Sequence, residues 1–403
     1  MGATVAVCHT RGMGDRAETS DAADEFGLRS LDVERLRERR VAKWMGRPQP
    51  YAAWVADMDF EVAPPIAAAL HGVVDRHELG YPNWGGPYAL SPAARLLPER
   101  MAERYGWEPD LDRVHDLIDV IQGVRSSVHH LSDPGDGVVL HMPAYHPFID
   151  GLDSMDRRRV DVNWNGSEFD YDDLEQRLAA EPARLWVLCN PHNPLGYVFP
   201  RHELERIAEI AERFDLVVIS DEIHADLTMP GFVHVPFASL GPEVAARTIT
   251  VTSASKAFNL AGLRWAVMHA SHDPMHAALG ALPGHYLGAP NVMAVTAAVT
   301  AWTQCDRWLD AVVGVIDENR GLLTSLLSEY LPGTRYAPPA ATYLAWVDCR
   351  ELGLGDDPCE VFGPRGVELS PGPQFGDLGR GHVRINIATS PGILAATVAA
   401  MAG

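Results

Sequence analysis

Thr252-Ser253-Ala254-Ser255-Lys256-Ala257-Phe258-Asn259-Leu260-Ala261-Gly262-Leu263-Arg264 sets one lysine among hydroxyls and follows it, eight residues on, with an arginine. A single lysine is ordinarily a solvated surface residue. Here Ala257, Phe258, Leu260 and Leu263 predict partial burial, which lowers an amine's pKa and makes it a usable nucleophile and base. The preceding residues, Ala246 to Thr252, alternate Ile, Val and Thr as a strand does, so Ser253 to Lys256 arrive at a strand's C-terminal end. Open α/β sheets keep their ligands at that edge.

Other stretches have the same form. Leu185-Trp-Val-Leu-Cys189 is an apolar strand running into Asn190-Pro-His-Asn-Pro-Leu-Gly196, and Leu216-Val-Val-Ile-Ser220 runs into Asp221-Glu-Ile-His224. A carboxylate at the end of a buried strand is costly without a partner, so Asp221 calls for a cation. Val138 to His141 leads into Met142-Pro-Ala-Tyr-His-Pro-Phe148, where Tyr145 either stacks on a flat ring or packs in the core. His146 either contacts a substrate or caps the turn. Asp119 to Ser127 is expected just ahead of a helix, and Gly123 there lets backbone N–H groups approach a phosphate without a Cβ between. Gly80 to Pro87 is a loop rich in turn formers and aromatics. Near the C-terminus, Ala341 to Asp348 and Gly381 to Ala388 alternate as strands, and Arg384 in the second demands an anion, from a ligand or from a structural salt bridge.

Taken in order, the Asn190 to Pro194 motif, Asp221 to His224, Ser253-x-Ser-Lys256 and Arg384-Ile-Asn386 resemble the fold-type I pyridoxal-phosphate enzymes of aminotransferase class I/II. Within that superfamily, Trp54-Val-Ala-Asp-Met-Asp-Phe60 and the PHNP and DEIH forms of two motifs resemble the MalY/PatB and cystalysin group of carbon–sulfur lyases. The resemblance implies an α/β fold: a large domain with a mostly parallel central sheet flanked by helices, and a smaller α+β domain. The division expected is a loose tail over 1–25, a small domain from 26–60 and 284–403, and a large cofactor-binding domain over 61–283.

The resemblance also implies roles. Lys256 carries the cofactor as a Schiff base, Asp221 faces the pyridine nitrogen, and Tyr145 lies on the ring. Asn190 and His224 address the phenolic oxygen O3′. Gly123, Val124, Ser253, Ser255 and Arg264 form the phosphate cup, and Tyr81 reaches the phosphate of a partner subunit in a homodimer. Arg384, with His146 and Asn190, holds an amino-acid substrate. A metal at Glu222 and His224 is conceivable, but no H-E-x-x-H or similar ligand set accompanies them. The side-chain role of Gln122 stays open.

Composition bounds these expectations. The 403 residues suffice for a large domain plus a smaller one, and 47% hydrophobic with 22% charged residues is ordinary for a globular enzyme. A formal net charge of −21 disfavours nucleic acid and anionic membranes. Five scattered cysteines without a C-x-x-C pair read as reduced thiols of a cytoplasmic protein. Residues 31–40 read as a charged helical stretch and about 283–301 as a helix bridging the domains. The reaction expected is α,β-elimination from a cysteine S-conjugate or cystathionine to thiol, pyruvate and ammonia. An aminotransferase, a lyase, decarboxylase or deaminase for a large sulfur-containing conjugate, and a regulatory binding protein with structural cofactor are the alternatives.

Overall fold

The apolar runs around Val114, Val139, Val160, Val187, Val218, Ile249 and Val267 are too short for core helices, and all seven enter one sheet with both faces covered. The computed structural model describes residues 21–86, 89–283 and 286–403. Helices α1 (Pro64–Asp75) and α2 (Leu97–Tyr105) precede β1 (Val114–Leu117). There follow α3 (Val120–Leu131), β2 (Gly137–Met142), α4 (His146–Ser154), β3 (Arg158–Asn163), α5 (Tyr171–Ala180) and β4 (Ala183–Cys189). The sheet is completed by α6 (Arg201–Arg213), β5 (Val217–Asp221), β6 (Thr248–Thr252) and β7 (Ala266–Ala270). Its order is β1-β7-β6-β5-β4-β2-β3, with β7 alone antiparallel to its neighbours.

Successive strand residues point to opposite faces, and the core divides accordingly. Val138, Leu140, Val187 and Val251 pack with Val124 and Val128 of α3 and Phe148 of α4. Val139, Trp186, Leu188 and Val218 pack with Leu174 of α5 and Leu204 and Ile207 of α6. The parallel register pairs Cys189 with Asp221 and Asp221 with Val251, so the loops after β4, β5 and β6 emerge side by side. That edge carries the site.

Beyond β7 come α7 (Asp273–Ala281), α8 (Val292–Gln304), α9 (Asp306–Tyr330), β8 (Arg335–Tyr336), β9 (Leu344–Asp348), β10 (Ser370–Pro371), β11 (His382–Asn386) and α10 (Pro391–Ala402). The four strands form an antiparallel sheet of order β10-β11-β9-β8, packed in a common core with α9 and α10. A two-residue strand, Tyr51–Ala52, pairs in parallel with Val367–Glu368 and ties the segment before Phe60 to this C-terminal unit.

Three expectations need correction. Residues 21–25 are helical rather than loose, because Ala22 and Ala23 are buried in the core and Glu25 pairs with Arg307; residues 1–20, with Cys8, lie outside the described residues. The charged stretch after Leu31 is helical only over Val33–Arg37, where Asp32 caps it and Leu36 is its sole buried residue. The helix expected from 283 begins at Val292, capped by Asn291, and packs on α1. Gly284 and His285 lie outside the described residues. Among the described residues no helix is long and apolar enough to cross a membrane.

Candidate active site

The loops after β2, β4, β5 and β6 and the 54–58 segment surround a cleft with about 760 Å³ of atom-free space, part of it open to solvent. Lys256 leaves β6 through Ser253 to Ser255 and is anchored by buried Ala257 and Phe258. Its Nζ donates to the Ala56 carbonyl at 2.9 Å. Burial lowers the pKa of this amine, with Asp57 opposing the effect and Arg384 adding to it.

Asp221, the last residue of β5, lines the same cleft. Its one side-chain hydrogen bond among the described residues is from Ile223 N–H at 3.1 Å, so the carboxylate has no cation bonded to it. Burial, reinforced by neighbouring Glu222 and opposed by that N–H and by Lys256, pushes its pKa up to about 7. Glu222 points away, accepting from Ser220 Oγ and Phe237 N–H and meeting His234 Nε2 at 3.1 Å, so it pairs with His234 rather than with His224. His224 lines the cleft with a buried, unpartnered Nδ1, and burial beside Lys256 and Arg384 pulls its pKa to about 3. It is a neutral hydrogen-bonding group. Tyr145 closes the opposite side, and burial raises its phenol pKa.

Arg384 projects from β11 and is 4% exposed. Its partners among the described residues are all neutral: Asn193 Oδ1 at 3.0 Å, the Trp54 carbonyl at 3.1 Å and Ser370 Oγ at 3.1 Å, with Nε unpartnered. Burial brings its pKa down to about 10. A buried guanidinium without an acid is a receptor for a carboxylate. The salt-bridge alternative therefore has no partner among the described residues.

Two sequence assignments move. Gly123 and Val124, expected as the cradle, do not line the cleft, whereas Val120 and Ile121 do: α3 already starts at Val120, and Gly123 N–H is bonded to the Asp119 carbonyl at 3.4 Å. A Cβ on Gly123 would meet Leu117 and Val251 at under 3 Å, so this glycine serves packing against the sheet. The missed signal is the N-cap Asp119: its Oδ1 accepts Gln122 N–H at 2.6 Å, and Gln122 Oε1 accepts Ile118 N–H, one residue before the cap, at 3.0 Å. This also accounts for Gln122. Asn190 turns its amide to the Val235 carbonyl at 3.0 Å and away from the cleft, whereas Asn193 lines it. The amide available to a ligand in the cleft is therefore that of Asn193.

Ser253, Ser255 and Arg264 line one end of the cleft with Val120 and Ile121. His146 starts α4 behind Tyr145, half-buried, with Nδ1 unpartnered and its ring edge-on to Phe375. Tyr81 is fully exposed on its loop and contributes nothing to this cleft within one chain.

A pyridoxal-phosphate-type group fits these residues. A ring nitrogen cation answers the unpaired Asp221, the aldehyde answers the buried amine of Lys256, and the phosphate answers Arg264 with first-turn N–H groups that no preceding turn can bond. The strain of a lone Asp221 can be measured. Its folded pKa lies above the unfolded value, so its contribution to stability is complete below about pH 4 and is lost as pH rises through about 7. In cofactor-free protein, Asp221→Asn is expected to raise the melting temperature relative to wild type by a few degrees at about pH 8 and by much less at about pH 5. A difference independent of pH contradicts the assignment.

The profile of the family described as aminotransferase class I and II matches residues 110–399. The chain is 31% identical to the cystathionine beta-lyase PatB of Bacillus subtilis, across 89% of this chain and 94% of that protein. It is equally 31% identical to a cystathionine beta-lyase of Corynebacterium glutamicum, across 90% of this chain and 96% of the other. Among solved structures, the pyridoxal-phosphate-bound C–S lyase of Staphylococcus hominis superposes with a TM-score of 0.84 at 28% identity, covering 92% of this chain and 98% of that one.

Proposed function

Because the chain belongs to the aminotransferase class I and II family and is a pyridoxal-phosphate-dependent carbon–sulfur lyase of the cystathionine beta-lyase kind, we propose that it cleaves L-cystathionine or a related cysteine S-conjugate. The products are a thiol, pyruvate and ammonia, with one water consumed. The observation that carries the amino-acid half of this reading is Arg384, a buried cation whose described partners are neutral, in the same cleft region as the buried amine of Lys256. The lyase half is supported by the carbon–sulfur lyases among the relatives.

When bound, the cofactor supplies an aldehyde that links to an amine and a cationic ring that withdraws electrons from the substrate's Cα. Asp221 keeps that ring protonated, exchanging a costly isolated carboxylate for a charge pair. Asn193 and His224 offer hydrogen bonds to the phenolic oxygen, and Tyr145 confines the ring plane. Arg384 holds the α-carboxylate through its planar fork, which orients the Cα–H bond. Lys256 Nζ, whose pKa burial lowers, takes the Cα proton and returns a proton to the departing sulfur. Fully buried Phe375 lies under the guanidinium at 4.8 Å and meets Trp346 edge-on at 5.3 Å, which backs Arg384 with a rigid aromatic pair.

The test is to incubate cofactor-loaded protein with L-cystathionine and with S-substituted cysteines, with and without a 2-oxo acid, and to measure pyruvate and thiol. Pyruvate and thiol in equal amounts without the 2-oxo acid are expected. Turnover that strictly requires the 2-oxo acid makes the protein an aminotransferase and overturns the proposal.

A further inference from the structure

The cup at the phosphate end contains a charge that works against phosphate. Asp119, which lines the cleft, accepts a hydrogen bond from Arg264 through Oδ2 while its Oδ1 caps Gln122 N–H at 2.6 Å. Arg264 is held for this contact in a left-handed conformation, φ +63°, at the end of a short 3-10 turn over Ala261–Leu263. A non-glycine residue there stores strain.

The serine hydroxyls of the cup are also engaged. Ser253 Oγ donates to the Trp265 carbonyl at 2.6 Å and accepts from Ser255 N–H at 3.0 Å, and the two serine hydroxyls lie 2.6 Å apart. An arriving phosphate meets an arginine already paired with a carboxylate, and that carboxylate carries the phosphate's own sign. The N–H groups of Val120 and Ile121 attract the phosphate, whereas Asp119, at the head of the same helix, repels it.

We propose that Asp119 is a built-in competitor of the cofactor phosphate for Arg264, setting how tightly pyridoxal phosphate is held and how readily it exchanges. The inference rests on the cofactor assignment above and concerns only the phosphate end. Asp119 acts through Arg264 and is a positioning residue. Capping gives the acid a second, separable job. Asn and Ser both keep an N-cap acceptor for α3 while removing the charge.

The experiment titrates cofactor-free full-length protein with pyridoxal phosphate and, separately, with pyridoxal, which lacks the phosphate, following cofactor absorbance and the quenching of protein fluorescence. For Asp119→Asn and Asp119→Ser the dissociation constant of pyridoxal phosphate is expected to fall about ten-fold or more, with that of pyridoxal unchanged. Equal affinity of wild type and both variants for pyridoxal phosphate, weaker binding in either variant, or parallel changes with both ligands overturns the proposal. Wild-type protein that takes up neither ligand overturns instead the cofactor assignment, and this inference with it.

Discussion

Lys256→Ala protein is expected to cleave L-cystathionine at least about 10⁴-fold more slowly than wild type and to lose the visible absorbance of a lysine-linked cofactor. Two functions disappear together in that variant, the covalent attachment point and the base for the Cα proton. The geometry gives no substitute. His224 is held neutral with a pKa of about 3, burial keeps Tyr145 a phenol, and the proposed reaction uses Asp221 at the ring nitrogen. Lys256→Arg should fail as completely, since a guanidinium neither condenses with an aldehyde nor deprotonates near neutral pH. Thermal unfolding of both variants separates loss of chemistry from loss of fold. Residual turnover above about 1% of wild type in a folded Lys256→Ala protein would place the base elsewhere.

Arg384→Ala is the second large effect. If its buried guanidinium takes the substrate carboxylate as proposed, kcat/KM for L-cystathionine should fall about 10²- to 10³-fold, mainly through KM. Arg384→Lys should recover only part of this, because an ammonium cannot reproduce the two parallel donors or the contacts to Asn193, Trp54 and Ser370 together. Uptake of pyridoxal phosphate should stay near wild type in both. If KM is unchanged in Arg384→Ala, the carboxylate is bound elsewhere.

The residues legible in the sequence are those whose role follows from position on a strand. Lys256 and Asp221 stand just beyond or at the end of apolar runs, and sheet geometry then puts both at one edge without further information. Arg384 drew notice by interrupting an apolar strand, but alternation puts it on the face opposite Val383 and Ile385, so its burial comes from Trp54, Asn193 and Ser370, which are remote in sequence. Sequence alone does not separate Asn190 from Asn193, because both amides sit in one irregular turn and the direction each takes depends on contacts with Val235 and Arg384, which are remote in sequence. The helix start at Val120 follows from the N-cap Asp119, whereas a glycine at 123 points one turn further on. The Ala56 carbonyl that receives Lys256 lies 200 residues away from it and offers a backbone atom, which no side-chain motif announces.

The account depends most on one covalent link, and reduction of the cofactor-loaded wild-type protein with borohydride, followed by peptide mass mapping, tests it directly. The expected result is a single phosphopyridoxyl modification on the peptide containing Ser255-Lys256-Ala257. A modification on Lys43, or an unmodified protein after complete loading, would contradict it.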